Sequence, residues 1–129
     1  MDCRATIINV GGKEVYLVDY SGIRNAQQFK EAIRETGAYR ERLVKSGKCD
    51  LLLLVDVTGS ELNLEIYEKL RKHGVLTKPI TCREAVVGME KFRFIVQTYN
   101  LYTGMDFRMF DKREDALVWL VGQQLAANG

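Results

Sequence analysis

Asp50-Leu51-Leu52-Leu53-Leu54-Val55-Asp56-Val57, followed at once by Thr58-Gly59-Ser60-Glu61, is the stretch on which the fold turns. Its inner positions are apolar without alternation, the pattern of a strand covered on both faces by helices, as in a parallel sheet. It reads as the central strand. Toward the N-terminus, residues 5–10 and 14–20 are rich in β-branched and aromatic side chains, and Gly11-Gly12-Lys13 lies between them. That arrangement predicts an antiparallel hairpin with glycines at the turn. Ser21-Gly22 marks a further turn, and Asn25-Ala26-Gln27-Gln28 is the start of a capped helix. Ala26, Phe29, Ile33 and Thr36 share one face of that helix, and Leu43 and Val44 continue the stripe beyond Gly37. A kink or break is expected at Gly37, because glycine weakens a helix interior by about 1 kcal/mol.

Toward the C-terminus, residues 61–72 carry Leu62, Ile66 and Leu70 at steps of four with Tyr67 beside them. Lys69, Arg71, Lys72 and His73 then suit the negative end of a helix, and Gly74 suits its C-cap. Residues 83–88 form a short buried strand around Ala85-Val86-Val87, and residues 89–102 place Phe92, Ile95, Val96 and Tyr99 at helical spacing. Residues 107–110 are a last strand, and Asp111-Lys112-Arg113-Glu114 is a D-x-x-E capping box before a helix that buries Leu117, Trp119 and Leu120. The order ββαβαβαβα describes an α/β fold: a mixed five-stranded sheet with the hairpin strand at one edge and about four helices. No linker or internal repeat divides it, so residues 1–129 are expected to be one domain.

Composition bounds the chemistry. The chain has 129 residues, 47% hydrophobic and 28% charged, enough for one core. Nineteen Lys and Arg against 17 Asp and Glu leave a net charge of +2, too even to make nucleic acid the expected partner. A single histidine, His73, excludes a two-histidine zinc site. Cys3, Cys49 and Cys82 are scattered and odd in number, which suggests neither a disulfide framework nor a thiolate metal site and fits a reducing cytoplasm. No apolar run is long enough to span a bilayer, and no glycine-rich phosphate loop occurs. No acid, base and nucleophile set stands out, so the expectation is a protein that is not an enzyme and holds no cofactor or metal.

The most informative junction is the strand-to-helix passage Asp56-Val57-Thr58-Gly59-Ser60-Glu61, because ligands and partners of open α/β sheets gather at the carboxyl ends of the strands. Thr58-x-x-Glu61 has the form of a capping box, in which the Thr58 hydroxyl would accept from the Glu61 N–H and the Glu61 carboxylate from the Thr58 N–H. Asp56-Val57-Thr58-Gly59 also resembles the Asp-Ser-Ser-Gly element of STAS domains, the anti-sigma factor antagonists of the SpoIIAA type. The order of elements is similar too, as are Asp19-Tyr20-Ser21-Gly22, Ala85-Val86-Val87-Gly88 and Phe110-x(5)-Ala116-Leu117-x-Trp119-Leu120. These resemble the SpoIIAA-like branch sometimes grouped with SEC14-type lipid-binding folds.

The resemblance implies a cytoplasmic signalling module that binds a protein partner, such as a kinase of the anti-sigma type, and is switched by phosphorylation. Thr58 matches the phosphoacceptor position, Ser60 is a neighbouring hydroxyl, and Asp56, Gly59 and Glu61 complete the candidate partner-binding element. Val57 replaces the first serine of the family pattern.

A second candidate is the far side of the helix over 89–102. Phe94 and Leu101 lie off its core face, with Met89, Tyr102 and Met105 near its ends. A neighbouring helix would cover that side, or it would serve as a homodimer face or, as the SEC14-type likeness implies, as the wall of a pocket for a small hydrophobic ligand. His73 is expected to act as a helix C-cap group and Cys82 as a reduced structural thiol. Lys91, Arg93, Arg108, Lys112 and Arg113 are expected to be solvated charges.

Overall fold

The computed structural model of the chain describes residues 4–61, 63–89, 93, 94, 97 and 107–128, with side chains through residue 122. Five strands form one sheet in the order β1 (Ala5–Val10), β2 (Lys13–Asp19), β3 (Leu51–Asp56), β4 (Thr81–Val87) and β5 (Arg108–Phe110). β1 and β2 are the antiparallel hairpin, turning at Gly11-Gly12, and every later pair is parallel. The central position of β3 and the edge position of the hairpin strand are as the sequence predicts.

Side-chain alternation sorts the sheet into two apolar faces. Tyr16 and Val18 of β2, Leu51, Leu53 and Val55 of β3, and Val86 of β4 meet one set of helices. Val15 and Leu17, Leu52 and Leu54, and Ala85 and Val87 point the other way. The unbroken apolar run of β3 is therefore two interleaved period-two patterns, one for each covered face. The first face receives α1 (Ala26–Lys45) and α2 (Leu64–Thr77), which pack on each other, and the second receives α3 (Arg113–Asn128). These are three helices among the described residues, against about four expected. Most of the expected helix over 89–102 lies outside the described residues, with residues 93, 94 and 97 in helical conformation.

Three local expectations are corrected. α1 runs unbroken through Gly37, which is buried against α2: a side chain there would meet His73 Nε2 at 2.5 Å, so glycine is where the two helices approach rather than where one stops. α2 begins later and ends later than expected. Its N-cap is Asn63, whose Oδ1 accepts the Ile66 N–H at 2.8 Å, and it passes through buried Gly74 to Thr77, before a 3₁₀ turn carrying Pro79. At α3 the Lys112 carbonyl, not that of Asp111, accepts the first helical bond, from Ala116 N–H. The cap of α1 is as read from the sequence: Asn25 Oδ1 accepts the N–H groups of Gln27 and Gln28.

His73 consequently lies inside α2 rather than at its end. Burial lowers its pKa to about 4, with Arg40 and Lys69 adding to the effect and Glu41 opposing it. Arg40, only 2% exposed, reaches across from α1 and donates through Nη1 to the His73 carbonyl at 3.2 Å and the Thr77 hydroxyl at 3.1 Å. A buried guanidinium thus ties α1 to the last turn of α2.

Candidate functional site

The carboxyl ends of β2 and β3 are adjacent and in register, with Asp19 opposite Asp56. Each strand then enters a turn of the same design: Asp19-Tyr20-Ser21-Gly22 and Asp56-Val57-Thr58-Gly59. Asp19 Oδ1 accepts the Ser21 N–H at 2.9 Å, and Asp56 Oδ1 accepts the Thr58 N–H at 2.9 Å. Short aspartate side chains readily close such turns on their own backbone. Gly22 and Gly59 follow at φ 74° and 71°, in the left-handed region that costs other L-residues about 1–2 kcal/mol. The two turns are stitched together by Tyr20 N–H to Asp56 O at 2.7 Å and Gly22 N–H to Thr58 O at 2.9 Å. Tyr20 and Val57 are both buried in the first-face core, and the Tyr20 hydroxyl bonds that of Thr36.

Alternation places Asp19 and Asp56 on the α3 face of the sheet, continuing Leu17 and Leu54. There Arg113, the first residue of α3, meets both. Its Nε and Nη2 donate to Asp56 Oδ2 at 3.0 and 2.6 Å, and Nη2 lies 3.5 Å from Asp19 Oδ2. Asp56 Oδ1 also accepts the Thr58 hydroxyl at 2.6 Å. Asp56 thus accepts four hydrogen bonds, filling about all the lone-pair positions a carboxylate has. Its side chain is 6% exposed, against 35% for Asp19. Partial burial works to raise the Asp19 pKa, but the Ser21 hydroxyl and N–H and the Arg113 charge together lower it. Two carboxylates and one guanidinium leave the cluster with one formal negative charge.

Thr58 stands exposed at the rim of this cluster, and so do Gly59 and Glu61. The capping-box reading is corrected: the Thr58 hydroxyl serves Asp56, the Glu61 N–H donates to Ile23 O at 2.8 Å, and the Glu61 carboxylate pairs with Arg24 at 3.2 Å. Ser60 is 4% exposed, with its hydroxyl donating to Val57 O at 2.6 Å. Of the two candidate hydroxyls, the structure presents Thr58 to the surface and turns Ser60 inward. Gly88, just after β4, packs under Thr58, and a side chain there would lie 2.6 Å from both Cα and Oγ1 of Thr58.

Arg113 is the residue that reading the sequence missed. It was expected among solvated charges, and instead it is the counter-ion of the strand-end carboxylates. The parity of Asp19 and Asp56 was the available signal, since it puts both on one face and calls for a cation.

In the second candidate region, Phe94 is 86% exposed and Met89 is buried in the core. Leu101, Tyr102 and Met105 lie outside the described residues. A cavity lined by Met89 and Phe107 has a volume of about 30 Å³, far below the roughly 300 Å³ of a small-molecule pocket. Cys82 is exposed rather than enclosed. Among the described residues, no group of three or more His, Cys, Asp or Glu could hold a metal ion, and no helix is long and apolar enough to cross a membrane.

No protein-family model matches the chain, and no curated protein matches it. Among solved structures it is similar to an uncharacterised protein of the DUF3478 family from Shewanella loihica PV-4, described as having a SpoIIAA-like fold. The two are 20% identical, superpose with a TM-score of 0.64, and match over 90% of this chain and 91% of that one. With its sheet order, its twin strand-end turns and this structural likeness, the chain has the SpoIIAA-like fold.

Proposed function

We propose that this domain is a non-enzymatic signalling module that docks a protein partner over the turns after β2 and β3, and that phosphorylation of Thr58 disconnects it. The observation that carries the reading is an exposed hydroxyl whose acceptor, at 2.6 Å, is a buried carboxylate already clamped by Arg113. A phosphoryl group would replace that donor with about 1.5 to 2 negative charges. Asp56 has no room to turn away without giving up the guanidinium. At about 5 Å and an effective dielectric near 20, repulsion is about 3 kcal/mol for each charge pair, more than the hydroxyl contact contributes. The turn must then reshape, and with it the surface offered to a partner. The sequence resemblance to STAS domains supports the same reading, since Thr58 matches the position of the modified hydroxyl in their Asp-Ser-Ser-Gly element.

The test is quantitative capture from cell extract by tagged wild type, Thr58→Ala and Thr58→Glu. A protein retained by the first two and reduced at least tenfold by Thr58→Glu is the expected result. Equal retention of every captured protein by all three overturns the proposal.

A further inference from the structure

The face of the sheet opposite Arg113 holds a second cluster of charge, remote from the turns. Arg40 of α1, Tyr67 and Arg71 of α2, and Glu84 of β4 line the cavity of about 30 Å³, with Val86 and Phe107 among its apolar walls. By this measure a water needs about 10–15 Å³, so the space takes one small occupant. On two of these lining residues a donor lacks an acceptor: Arg40 Nε and Arg71 Nε are both buried and make no hydrogen bond. Buried N–H groups are seldom left unpaired, because each costs about 1–3 kcal/mol.

Charge then selects the occupant. Arg40 is only 2% exposed, and its other described hydrogen-bond partners are neutral, the His73 carbonyl and the Thr77 and Tyr20 hydroxyls. Among the described residues, the cavity wall then carries two positive charges, counting Arg71, against at most the one negative charge of Glu84. Desolvation pushes the Glu84 carboxyl above its ordinary range, with the Arg40 charge only partly opposing. Glu84 alone does not balance two guanidinium charges. A water would satisfy the donors and leave the charge uncompensated, whereas an anion satisfies both.

We propose that the cavity between α1, α2 and β4 is a binding site for one monatomic anion of halide size, held by the Nε–H groups of Arg40 and Arg71. Bromide and chloride are the probes. Crystals of the full chain soaked in sodium bromide and measured at the bromine edge should show an anomalous peak within hydrogen-bond distance of both Nε atoms. In solution, chloride-35 relaxation should reveal excess line broadening that bromide displaces. Arg71→Gln should reduce it at least fivefold while leaving the fold intact. Arg40→Met should abolish it, and Glu84→Gln should strengthen it. If Arg40→Met fails to fold, the Arg71→Gln comparison still decides. A water peak without anomalous signal, a bromide peak without chloride broadening in solution, or equal broadening in wild type and Arg71→Gln overturns the proposal.

Discussion

At the end of β2, Asp19 accepts the Ser21 N–H and Gly22 takes φ 74°; at the end of β3, Asp56 accepts the Thr58 N–H and Gly59 takes φ 71°. The local chemistry is the same, and what surrounds it is not. Asp19 lies toward the sheet edge, a third exposed, with Arg113 3.5 Å away. Asp56 lies in the middle of the sheet, buried, with Arg113 at 2.6 Å and a hydroxyl on its other oxygen. The difference teaches that a turn motif supplies a shape, while burial and the approach of Arg113 determine whether its carboxylate becomes an anchor.

That comparison can be broken by removing each carboxylate in turn. Asp56→Ala is expected to cost about 3 kcal/mol of unfolding free energy, because it leaves a partly enclosed guanidinium and two turn donors without their acceptor. Asp19→Ala should cost about 1 kcal/mol, since its charges are closer to water. Urea unfolding of the two variants measures both, and equal losses would contradict the assignment of Asp56 as the anchor.

Glycine substitutions sharpen the other half of the comparison. Gly22→Ala and Gly59→Ala should each lose about 1–2 kcal/mol, and by similar amounts, because both sit at positive φ with nothing closer than 4.0 Å to a new side chain. A large inequality would show that the turns are not locally equivalent. A smaller contrast is expected at the hydroxyls. Thr58→Val should cost about 1 kcal/mol through loss of the bond to Asp56, and Ser21→Ala less than half of that. Thermal unfolding of the pair resolves the difference.

Acid titration gives the subtlest separation. The lowered pKa of Asp19 contributes stability that is fully present above its unfolded value of 3.8 and is lost as pH falls below it. His73, lowered from 6.5 to about 4, acts in a higher window: the unfolded chain takes up its proton first, so stability declines as pH falls from 6.5 toward 4. Asp19→Asn should therefore change the curve only below about pH 4, and His73→Gln should flatten it between 6.5 and 4. The same slope in that window for wild type and His73→Gln would show that the imidazole is not held neutral by its surroundings.

Much of the architecture was legible because it rests on local periodicity. The apolar run around Leu53 required a strand with two covered faces, and Gly11-Gly12 required a hairpin. Helix ends were less legible. Thr58 and Asn63 are both good caps, and the choice between them depends on Asp56, which takes the Thr58 hydroxyl and leaves α2 to start at Leu64. Gly37 and Gly74 were ambiguous for a related reason: a glycine that ends a helix and one buried inside it, as where Gly37 admits α2, look alike in one chain.

The sequence by itself determined the alternation that aims Asp19 and Asp56 at one face, and the glycines that let each strand turn immediately afterward. Only the tertiary structure decided that Arg113, 57 residues beyond Asp56, is the cation that meets them. It also decided that Thr58 faces outward while Ser60 faces inward, and that Arg40 and Arg71 line one cavity. The physical reason is range. Backbone preference and side-chain period act over a few residues, whereas the pairing of a buried charge depends on which distant element the packing of apolar faces brings against it.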